Sequence, residues 1–445
     1  MSATTVSTVP DATPPADPRA ATSDASRAQA HRISGADGLR ALAAIWVVLS
    51  HAYQRLNGAN IPEWLLDFKL VMMKGAFGVS IFFVLSGMLL SFPFWNAYLR
   101  GEPMPRLGHY TRRRFARIAP GFYASLAVSF VVGLHLAPDT PYAIWRLVSG
   151  FTFTSGLSWI TFFPVEVNGP LWSIGFEVIS YVLMPLAMIG MFFLGRRGWR
   201  GRRIGAGYWI LILGVVIAVN QWLVTHLSTD DAFKGWENGN IGGAALWWPD
   251  YNPVALFAHF LIGIMVAAAI VMWRHRFGML RTWWWDLVAL AGLGGAFWLV
   301  WINREPPEPD HTTNFQGQPY LWPWFAVLIG VALLGLAHSK FLHRLVDNRF
   351  ARYTATVSFG IYIWHYLLLH LVTYLTDGQF VYDGILNPAK HAWLVVAVLL
   401  MSYAVASASW FLLEKPILKS KWATKPPRPR AEPTTASADA KDGEA

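Results

Sequence analysis

Arg40 and His51 are the first residues of the chain whose types and spacing suggest chemistry. They lie in GLRALAAIWVVLSHAY, residues 38–53, where almost every other side chain is apolar. On an α-helix, eleven positions place two side chains about 20° apart around the axis and about 16 Å apart along it. A titratable group in a membrane helix usually has a function. The pair therefore predicts a cation at one end of a helix face and a proton acceptor near its middle, although His51 could instead join two helices by a hydrogen bond.

A second polar stripe runs through NGPLWSIGFEVISYVLMPL. Ser173, Glu177 and Tyr181 follow one another at four-residue intervals and so share one helix face. A carboxylate in hydrocarbon is costly, so Glu177 must face a cavity or a partner. We expect Arg40 or His51 to be that partner, and the alternative is an ion pair with a purely structural role.

A dense basic site occurs in YTRRRFARIAPGFY. It contains Arg113, Arg114 and Arg117, the last two separated by about one helical turn. Such a site could bind the phosphates of a donor substrate, since guanidinium groups match phosphate geometry. It could also anchor the helix end to anionic lipid, and composition alone favours this anchor role over donor binding.

A third stripe lies in SFGIYIWHYLLLH, where Ser358, Tyr362 and His365 share a face. For His365 the residues by themselves favour a structural role. The remaining polar or small residues in apolar segments are assigned to helix packing, to helix ends or to no role: Gly78, Ser80, Ser86, Gly87, Ser91, His226, His259, His370 and Glu414.

The composition shows which environment must position these groups. Of 445 residues, 54% are hydrophobic and 14% are charged, whereas a soluble protein carries roughly 25% charged residues. The 24 tryptophans cluster as they do at membrane–water boundaries. The net charge of +10 comes from basic residues that lie between apolar segments. Basic residues in such loops set the orientation of a membrane protein, so the charge does not indicate nucleic-acid binding. The absence of cysteine excludes disulfides, thiolate metal sites and an acyl-cysteine intermediate.

Ten apolar segments are long enough to cross a bilayer, which predicts an all-α integral membrane protein. Loops on one side hold more than twenty basic residues, and those on the other side hold six. The positive-inside rule then places both termini in the cytoplasm. The expected segments are 38–55, 75–95, 116–136, 169–194, 207–227, 254–273, 283–302, 321–338, 355–376 and 391–413.

Three further stretches are expected to lie outside the bundle. Residues 144–163 are apolar, but an eleventh span there would place GRRGWRGRR outside the cell, so we expect an interfacial segment. Residues 1–34 and 417–445 are rich in small, polar and basic residues and are expected to be disordered cytoplasmic tails. The membrane domain is thus expected at 35–416.

Together these pieces resemble membrane-bound acyltransferase family 3, the bacterial integral-membrane O-acyltransferases. The resemblance covers nearly the whole membrane region and includes the family's Arg…His, Arg-x-x-Arg and Trp-Ser…Glu patterns. The matching pieces occur in the family's order: DGLRALAAIWVVLSH, FFVLSGMLL, RRFARIAPGFY, LWSIGFEVISYVLMPL, SFGIYIWHYLLL and FLLEKP.

The resemblance implies transfer of an acyl group, most commonly acetyl, from cytoplasmic acyl-coenzyme A to a hydroxyl of a sugar, a glycan or a lipid-linked acceptor. It implies a catalytic role for His51 and donor binding by Arg40, Arg114 and Arg117. A histidine kept from water is neutral and can accept a hydroxyl proton, so we expect a general base or, alternatively, an acyl carrier. No metal is expected.

The remaining expected site residues follow from their neighbourhood to this set. We expect Arg40 and Glu177 to orient His51 or the donor, and Arg113 to assist in donor binding. The residues expected to contact the acceptor are Trp172, Ser173, Tyr181 and His365. For the donor to reach His51, we expect a polar channel from the arginines to the ring.

Some members of the family carry a soluble domain after the membrane part. Because this chain ends about 30 residues after its last apolar segment, we expect the membrane domain, or a separate extracytoplasmic protein, to complete the transfer. The expected location is the bacterial inner membrane. A transporter or flippase of acylated or glycosylated molecules would also explain buried polar groups, whereas a sensor with vestigial catalytic residues is disfavoured by the intact motifs.

Overall fold

The computed structural model describes five stretches of the chain: residues 33–59, 61–195, 198–305, 318–377 and 384–424. Most of the two tails expected to be disordered, within 1–34 and 417–445, falls outside these stretches. In the described residues the regular structure is helical, apart from two isolated β-bridges.

The helices follow one another along the chain with short connections. The 3₁₀ turns are Lys74–Phe77, Ser155–Leu157, Gly169–Leu171 and Trp236–Asn238, and Trp410–Glu414 is a π-helical turn. The α-helices are α1 (Ala36–Tyr53), α2 (Glu63–Met73), α3 (Gly78–Arg100), α4 (Leu107–Leu136), α5 (Ala143–Phe151), α6 (Trp172–Phe193), α7 (Gly198–His226), α8 (Gly239–Trp247), α9 (Pro253–Phe277), α10 (Trp284–Ile302), α11 (Trp324–His338), α12 (Leu342–Val346), α13 (Arg349–Asp377), α14 (Pro388–Ser409), α15 (Lys415–Lys419) and α16 (Lys421–Thr424).

Eight helical stretches of the described residues are long and apolar enough to cross a membrane, as expected of a multi-pass membrane protein. They coincide with eight of the ten expected segments. The other two segments also form helices, α1 with 18 residues and α11 with 15. The count of ten spans and the cytoplasmic side of both ends stay predictions.

Helices α3 and α9 form the centre of the bundle and pack backbone against backbone. A Cβ atom on Gly87 would lie 2.0 Å from the carbonyl oxygen of Phe260, and one on Gly263 would lie 2.0 Å from that of Val84. Only glycine permits this approach at the two positions. Gly87 of FFVLSGMLL therefore serves packing, as the sequence indicates, whereas its neighbour Ser86 also donates a hydrogen bond to Glu177.

Helix α1 is held at a fixed depth by contacts at both ends. The backbone N–H groups of Gly35 and Gly38 donate to the carboxylate of Asp347 at 2.6 and 3.1 Å. Near the other end, Ser50 Oγ donates to the carbonyl oxygen of Met73 at 2.8 Å. Its sides pack against α3 and α13. These contacts determine where its arginine and its histidine lie.

The apolar segment 144–163 does not form a membrane-spanning helix, in agreement with the expectation. Helix α5 has nine residues, whereas a span needs about 20. An irregular segment with two 3₁₀ turns follows and leads to α6. Within α5 Arg146 is buried, and its Nε donates to the carbonyl oxygen of Phe163 at 2.7 Å.

The chain stays helical beyond the boundary expected at residue 416. Helix α15 extends to Lys419, and α16 adds a further turn that packs on α4. The ring of Trp422 lies edge-on to Phe115, with centroids 6.2 Å apart, and Ala423 is buried. The apolar residues within this basic segment explain why it is ordered.

Candidate active site

Helix α1 presents Arg40 and His51 to two separate cavities. Arg40 lines one of about 280 Å³, which we call the arginine cavity, and His51 lines another of about 1060 Å³, which we call the histidine cavity. The arginine cavity is lined by polar residues from α1, α3, α4, α6 and α13, together with apolar side chains mainly of α3. The polar ones are Arg40, Ser86, Arg114, Arg117, Ser173, Glu177, Tyr181, Ser358 and Tyr362.

Three of the arginines expected to bind a donor, Arg40, Arg114 and Arg117, converge on the arginine cavity. Arg117 is held in place from the opposite side: its guanidinium lies 4.7 Å from the ring of Trp410 and donates to the carbonyl oxygen of Thr356 at 3.2 Å. Such a cluster can bind a diphosphate by charge-assisted hydrogen bonds.

Arg113 has a different position. It is exposed and lines a neighbouring side cavity of about 500 Å³, which shares Leu89, Leu90 and Arg114 with the arginine cavity. The side cavity also contains Arg106. The two cavities adjoin at their shared residues, so that a long anionic ligand could extend from one into the other.

Glu177 lines the arginine cavity but does not pair with Arg40 or His51, the partners suggested by the sequence. Its carboxylate accepts a hydrogen bond from Ser86 Oγ at 3.0 Å and another from the Tyr181 hydroxyl. Among the described residues it makes no ion pair within 4 Å. The cost of burying a carboxylate predicted that Glu177 faces a cavity or a partner. Its hydrogen-bond partners depend on how the helices pack.

His51 lines the histidine cavity and is packed by aromatic rings on its other sides. Its ring stacks on that of His365, with centroids 5.3 Å apart, and meets the ring of Tyr366 edge-on at 4.8 Å. Its Nδ1 lies 3.2 Å from Oε1 of Gln54. Because the amide oxygen accepts, Nδ1 carries the proton, and Nε2 keeps a lone pair that can accept one.

His365 lines neither cavity. It is fully buried, and its Nδ1 donates to the carbonyl oxygens of Tyr362 and Ile361 at 2.7 and 3.1 Å. Its Nε2 is buried without a hydrogen-bond partner. This position behind His51 fits the structural role favoured by the residues alone, and it leaves no direct contact with a ligand in either cavity.

A hydrogen-bonded partition separates the two cavities, where the sequence led us to expect one continuous channel. The Tyr362 hydroxyl donates to the carbonyl oxygen of Pro170 at 3.0 Å and shares a hydrogen bond with Ser173 Oγ at 2.6 Å. Trp172 lines the histidine cavity, and the next residue, Ser173, lines the arginine cavity. We call Pro170, Ser173 and Tyr362 the partition.

The turn before α6 is fixed by one buried side chain. The two N–H groups of Asn168 Nδ2 are shared among the carbonyl oxygen of Ile363 at 2.9 Å, Ser129 Oγ at 3.0 Å and Ser125 Oγ at 3.3 Å. These bonds join the turn to α4 and α13. They determine which way Trp172 and the partition face.

Several residues around His51 were not identified from the sequence. Gln54 and His370 line the histidine cavity, and Arg55 is completely buried with its guanidinium 5.9 Å from the ring centre of Tyr366. Gln54 and Arg55 lie three and four positions after His51, and this helical spacing is the signal that could have found them.

Glu414 was also overlooked, since the sequence suggested a helix end or a local pair with Lys415. It is buried, accepts a hydrogen bond from Ser409 Oγ at 2.8 Å, and lies close enough to Gly121 that a Cβ there would be 2.5 Å away. Its negative charge faces the Arg117 side of α4. Among the described residues no cluster suited to a metal ion occurs.

Comparison with known proteins identifies a family. A family model described as "Acyltransferase domain" matches residues 33–411. The chain is 25% identical over 405 residues to nodulation protein 10 of Rhizobium leguminosarum bv. viciae. The aligned region covers 86% of this chain and 92% of that protein. No solved structure matches.

Two further relatives are longer proteins. O-acetyltransferase OatA of Staphylococcus aureus is 23% identical over 404 residues, covering 87% of this chain and 57% of OatA. The putative peptidoglycan O-acetyltransferase YrhL of Bacillus subtilis is 25% identical over 425 residues, covering 88% of this chain and 56% of YrhL. The chain thus spans just over half the length of these two.

Proposed function

Because the chain belongs to the acyltransferase family whose domain covers residues 33–411, and is an acyltransferase of the O-acetyltransferase type, we propose that it transfers an acetyl group from acetyl-coenzyme A to a hydroxyl of a glycan. The reaction would take place in the bacterial inner membrane. The observation that carries the proposal is the adjacency of an arginine-lined cavity and a cavity containing His51, with one thin partition between them.

The donor is assigned to the arginine cavity. A coenzyme A diphosphate carries negative charge, and Arg40, Arg114 and Arg117 supply the matching cations. A cavity of about 280 Å³ is at the lower end of ligand-site volumes, so it holds the diphosphate and the start of the pantetheine arm. The nucleoside part is assigned to the side cavity with Arg106 and Arg113.

The pantetheine arm must pass the partition to bring the thioester to His51. The partition consists of two hydrogen bonds and a packed tyrosine ring. A typical hydrogen bond contributes about 0.5–1.5 kcal/mol net, which is small beside the binding energy of a diphosphate on three arginines. The binding energy of the donor is therefore sufficient to break these two hydrogen bonds.

The acceptor hydroxyl is assigned to the histidine cavity. There Nε2 of His51 removes the hydroxyl proton while the hydroxyl oxygen attacks the thioester carbonyl carbon. The carbon–sulfur bond then breaks, and the leaving thiolate takes the proton from the imidazolium. The products are an ester on the acceptor and free coenzyme A, and His51 returns to its neutral form.

A second route uses His51 as an acyl carrier. Its Nε2 would attack the thioester first, and the acceptor would then take the acetyl group from the ring. The proton inventory is the same over the full cycle. Rapid denaturation at near-neutral pH of the enzyme mixed with labelled donor and no acceptor separates the routes, since only the carrier route leaves label on the protein.

The test uses membranes that contain the protein, labelled acetyl-coenzyme A and the glycans of the producing cell. Covalent label on a glycan, together with one missing acetyl mass in glycans from cells without the protein, is the expected result. Movement of an acceptor across the membrane without modification would instead identify a transporter and overturn the proposal.

A further inference from the structure

Three tryptophans, Trp172, Trp236 and Trp247, line the same cavity as His51. The rings of Trp236 and Trp247 lie edge-on, with centroids 5.1 Å apart. Trp247 also stacks on Tyr251 at 5.2 Å, and Tyr251 meets Trp172 edge-on at 5.7 Å. One connected aromatic surface therefore forms part of the cavity lining.

Two glycines in the segment 235–247, which contains Trp236 and Trp247, make room for close packing of the indole of Trp236. A Cβ atom on Gly243 would lie 2.3 Å from the indole of Trp236, so glycine lets that ring lie flat against α8. A Cβ on Gly242 would lie 1.8 Å from the carbonyl oxygen of Gly235. The segment can close around the indole only because both positions lack a side chain.

Polar groups stand beside the aromatic surface and are fixed in place. The carboxylate of Glu166 lies 2.7 Å from a guanidinium nitrogen of the buried Arg146. It also accepts from the backbone N–H of Asn240 at 2.7 Å, while Asn240 Nδ2 donates to the carbonyl oxygen of Glu166 at 2.6 Å. Glu166, Glu237 and Asn240 line the cavity with the tryptophans.

These tryptophans differ from those of a membrane-interface belt. Belt residues project toward lipid headgroups, as the strongly exposed Trp222 and Trp298 on the outer surfaces of α7 and α10 do. Trp172, Trp236 and Trp247 line a cavity instead, and of these Trp172 is buried whereas Trp236, at the cavity mouth, is 44% exposed. Aromatic faces combined with a few fixed polar groups are typical of a site that binds a small amphipathic ligand.

We propose that this surface, the tryptophan wall (Trp172, Trp236 and Trp247 with Glu166, Glu237 and Asn240), binds an uncharged pyranose ring of the acceptor. The proposal rests on the proposed function and assigns its acceptor subsite. The C–H face of a pyranose is apolar and buries against an indole. Its hydroxyls can donate to carboxylate oxygens and accept from an amide.

The charges that line the histidine cavity restrict which sugar rings can bind there. Glu166 and Glu237 line it, and no lysine or arginine does among the described residues. The charge of Glu166 is balanced by Arg146 behind it, so the carboxylate that opposes an anionic ring is that of Glu237. A uronate or a phosphorylated ring would bring a second negative charge beside Glu237, and this repulsion lowers affinity. The donor and the acceptor are thus separated by charge, the anionic one on the arginine side and the neutral one on the histidine side.

The experiment begins with the natural acceptor. Tandem mass spectrometry of the glycan that gains acetyl in cells with the protein identifies the acetylated ring, which we expect to be a neutral hexose or N-acetylhexosamine. A uronate, a phosphorylated ring or a molecule without a sugar at that position would overturn the proposal. Absence of any acetylated product would remove the proposed function together with this subsite.

The second stage measures kinetics with that purified acceptor. We expect Trp236→Ala and Trp247→Ala each to raise the acceptor KM about tenfold or more, with the donor KM and kcat nearly unchanged. Trp236→Phe keeps an aromatic face and should recover most of the loss. Gly243→Ala should act like Trp236→Ala, because it displaces the indole without removing it.

The matched control is Trp222→Ala, which removes an exposed tryptophan that lines neither cavity. It should leave both KM values unchanged. If product forms but Trp236→Ala and Trp247→Ala leave the acceptor KM unchanged, the tryptophan wall is not the subsite, and the proposed function itself is unaffected. An equal rise in donor KM would point to general damage to the fold and would also contradict the assignment.

Discussion

The arginine cavity and the histidine cavity lie on two sides of the same partition and are constructed in different ways. The arginine cavity is small and basic, and its polar residues all lie on long helices at helical spacing. The histidine cavity has nearly four times the volume, and much of its lining comes from the irregular segment around residues 163–172 and from the 3₁₀ turn and short helix at residues 236–247. The regular region is suited to one fixed ligand, and the irregular region can vary with the acceptor.

This difference suggests a division of roles between the two regions. A donor shared by many enzymes needs the same few cations in the same geometry, and helices supply a rigid frame for them. An acceptor that differs between enzymes requires a changeable surface, which loops provide. Variants on the two sides should therefore alter different kinetic parameters, and His51 is the position where the largest effect is expected.

The expected loss of activity in His51→Ala follows from the usual contribution of general-base catalysis. Such catalysis contributes roughly 10²–10⁴-fold, so kcat for acetyl transfer should fall by about that factor while donor binding is retained. Transfer of labelled acetyl from acetyl-coenzyme A in membranes, normalised to protein level, measures it. His226→Ala, which removes an exposed histidine at the end of α7, is the control. Near-normal activity of the His51 variant would exclude both the base and the carrier roles.

The next effect concerns the opposite side of the partition. The double variant Arg114→Ala with Arg117→Ala should raise the donor KM by about 100-fold, because each hydrogen bond to a charged group contributes about 1.5–3 kcal/mol. The acceptor KM should stay the same. Arg113→Ala, on an exposed residue of the side cavity, should raise the donor KM only about threefold. A donor KM unaffected by the double variant would leave these arginines as lipid anchors.

A smaller effect is expected at the boundary between the cavities. Tyr362→Phe removes the hydroxyl that joins Pro170 and Ser173, so water should reach the thioester more easily. Hydrolysis of acetyl-coenzyme A without acceptor should rise several-fold, an effect of about 1 kcal/mol. Tyr353→Phe, which removes an exposed hydroxyl bonded to Ser407, is the control. Unchanged hydrolysis would mean that the donor arm follows another path.

The smallest effect is expected for Glu414→Gln. Glu414 acts through Arg117, so the loss of its charge should raise the donor KM about threefold to fivefold without changing kcat. Titration of the donor in membranes separates the two parameters. Glu102→Gln alters an exposed carboxylate at the end of α3 and should change neither. A fall in kcat without a change in KM would show that Glu414 does not position Arg117.

The arginine side was largely predictable because helical spacing turns sequence positions into faces. The spacing of Ser173, Glu177 and Tyr181, and that of Arg114 and Arg117, predicts common faces, and all five residues line one cavity. The identities of their partners were not predictable in the same way. Ser86 binds Glu177 only because α3 and α6 approach at one particular height, which no single helix encodes.

The histidine side was less predictable for a physical reason. Trp236 and Glu166 lie in a short turn and an irregular segment, and Trp247 ends a helix of only nine residues. Spacing along such short or irregular segments gives little information about where their side chains point. The family resemblance identified His51 and Trp172, but not Gln54 or His370. The partition was missed as well, since Tyr362 meets Pro170 through a backbone carbonyl, and any residue type at position 170 would present one.

The closely packed glycines of α3 and α9 limit which helices can move when a large donor enters the arginine cavity. With backbone against backbone at Gly87 and Gly263, these two helices cannot slide past each other without a steric clash. Most of the apolar stretch of each of these two helices is buried, whereas fewer than half of the residues in the apolar stretches of α4 and α6 are fully buried. Dilation must therefore come from α4 and α6, which carry Arg114, Arg117 and Glu177, so the lateral pressure of the surrounding lipid acts directly on the donor site.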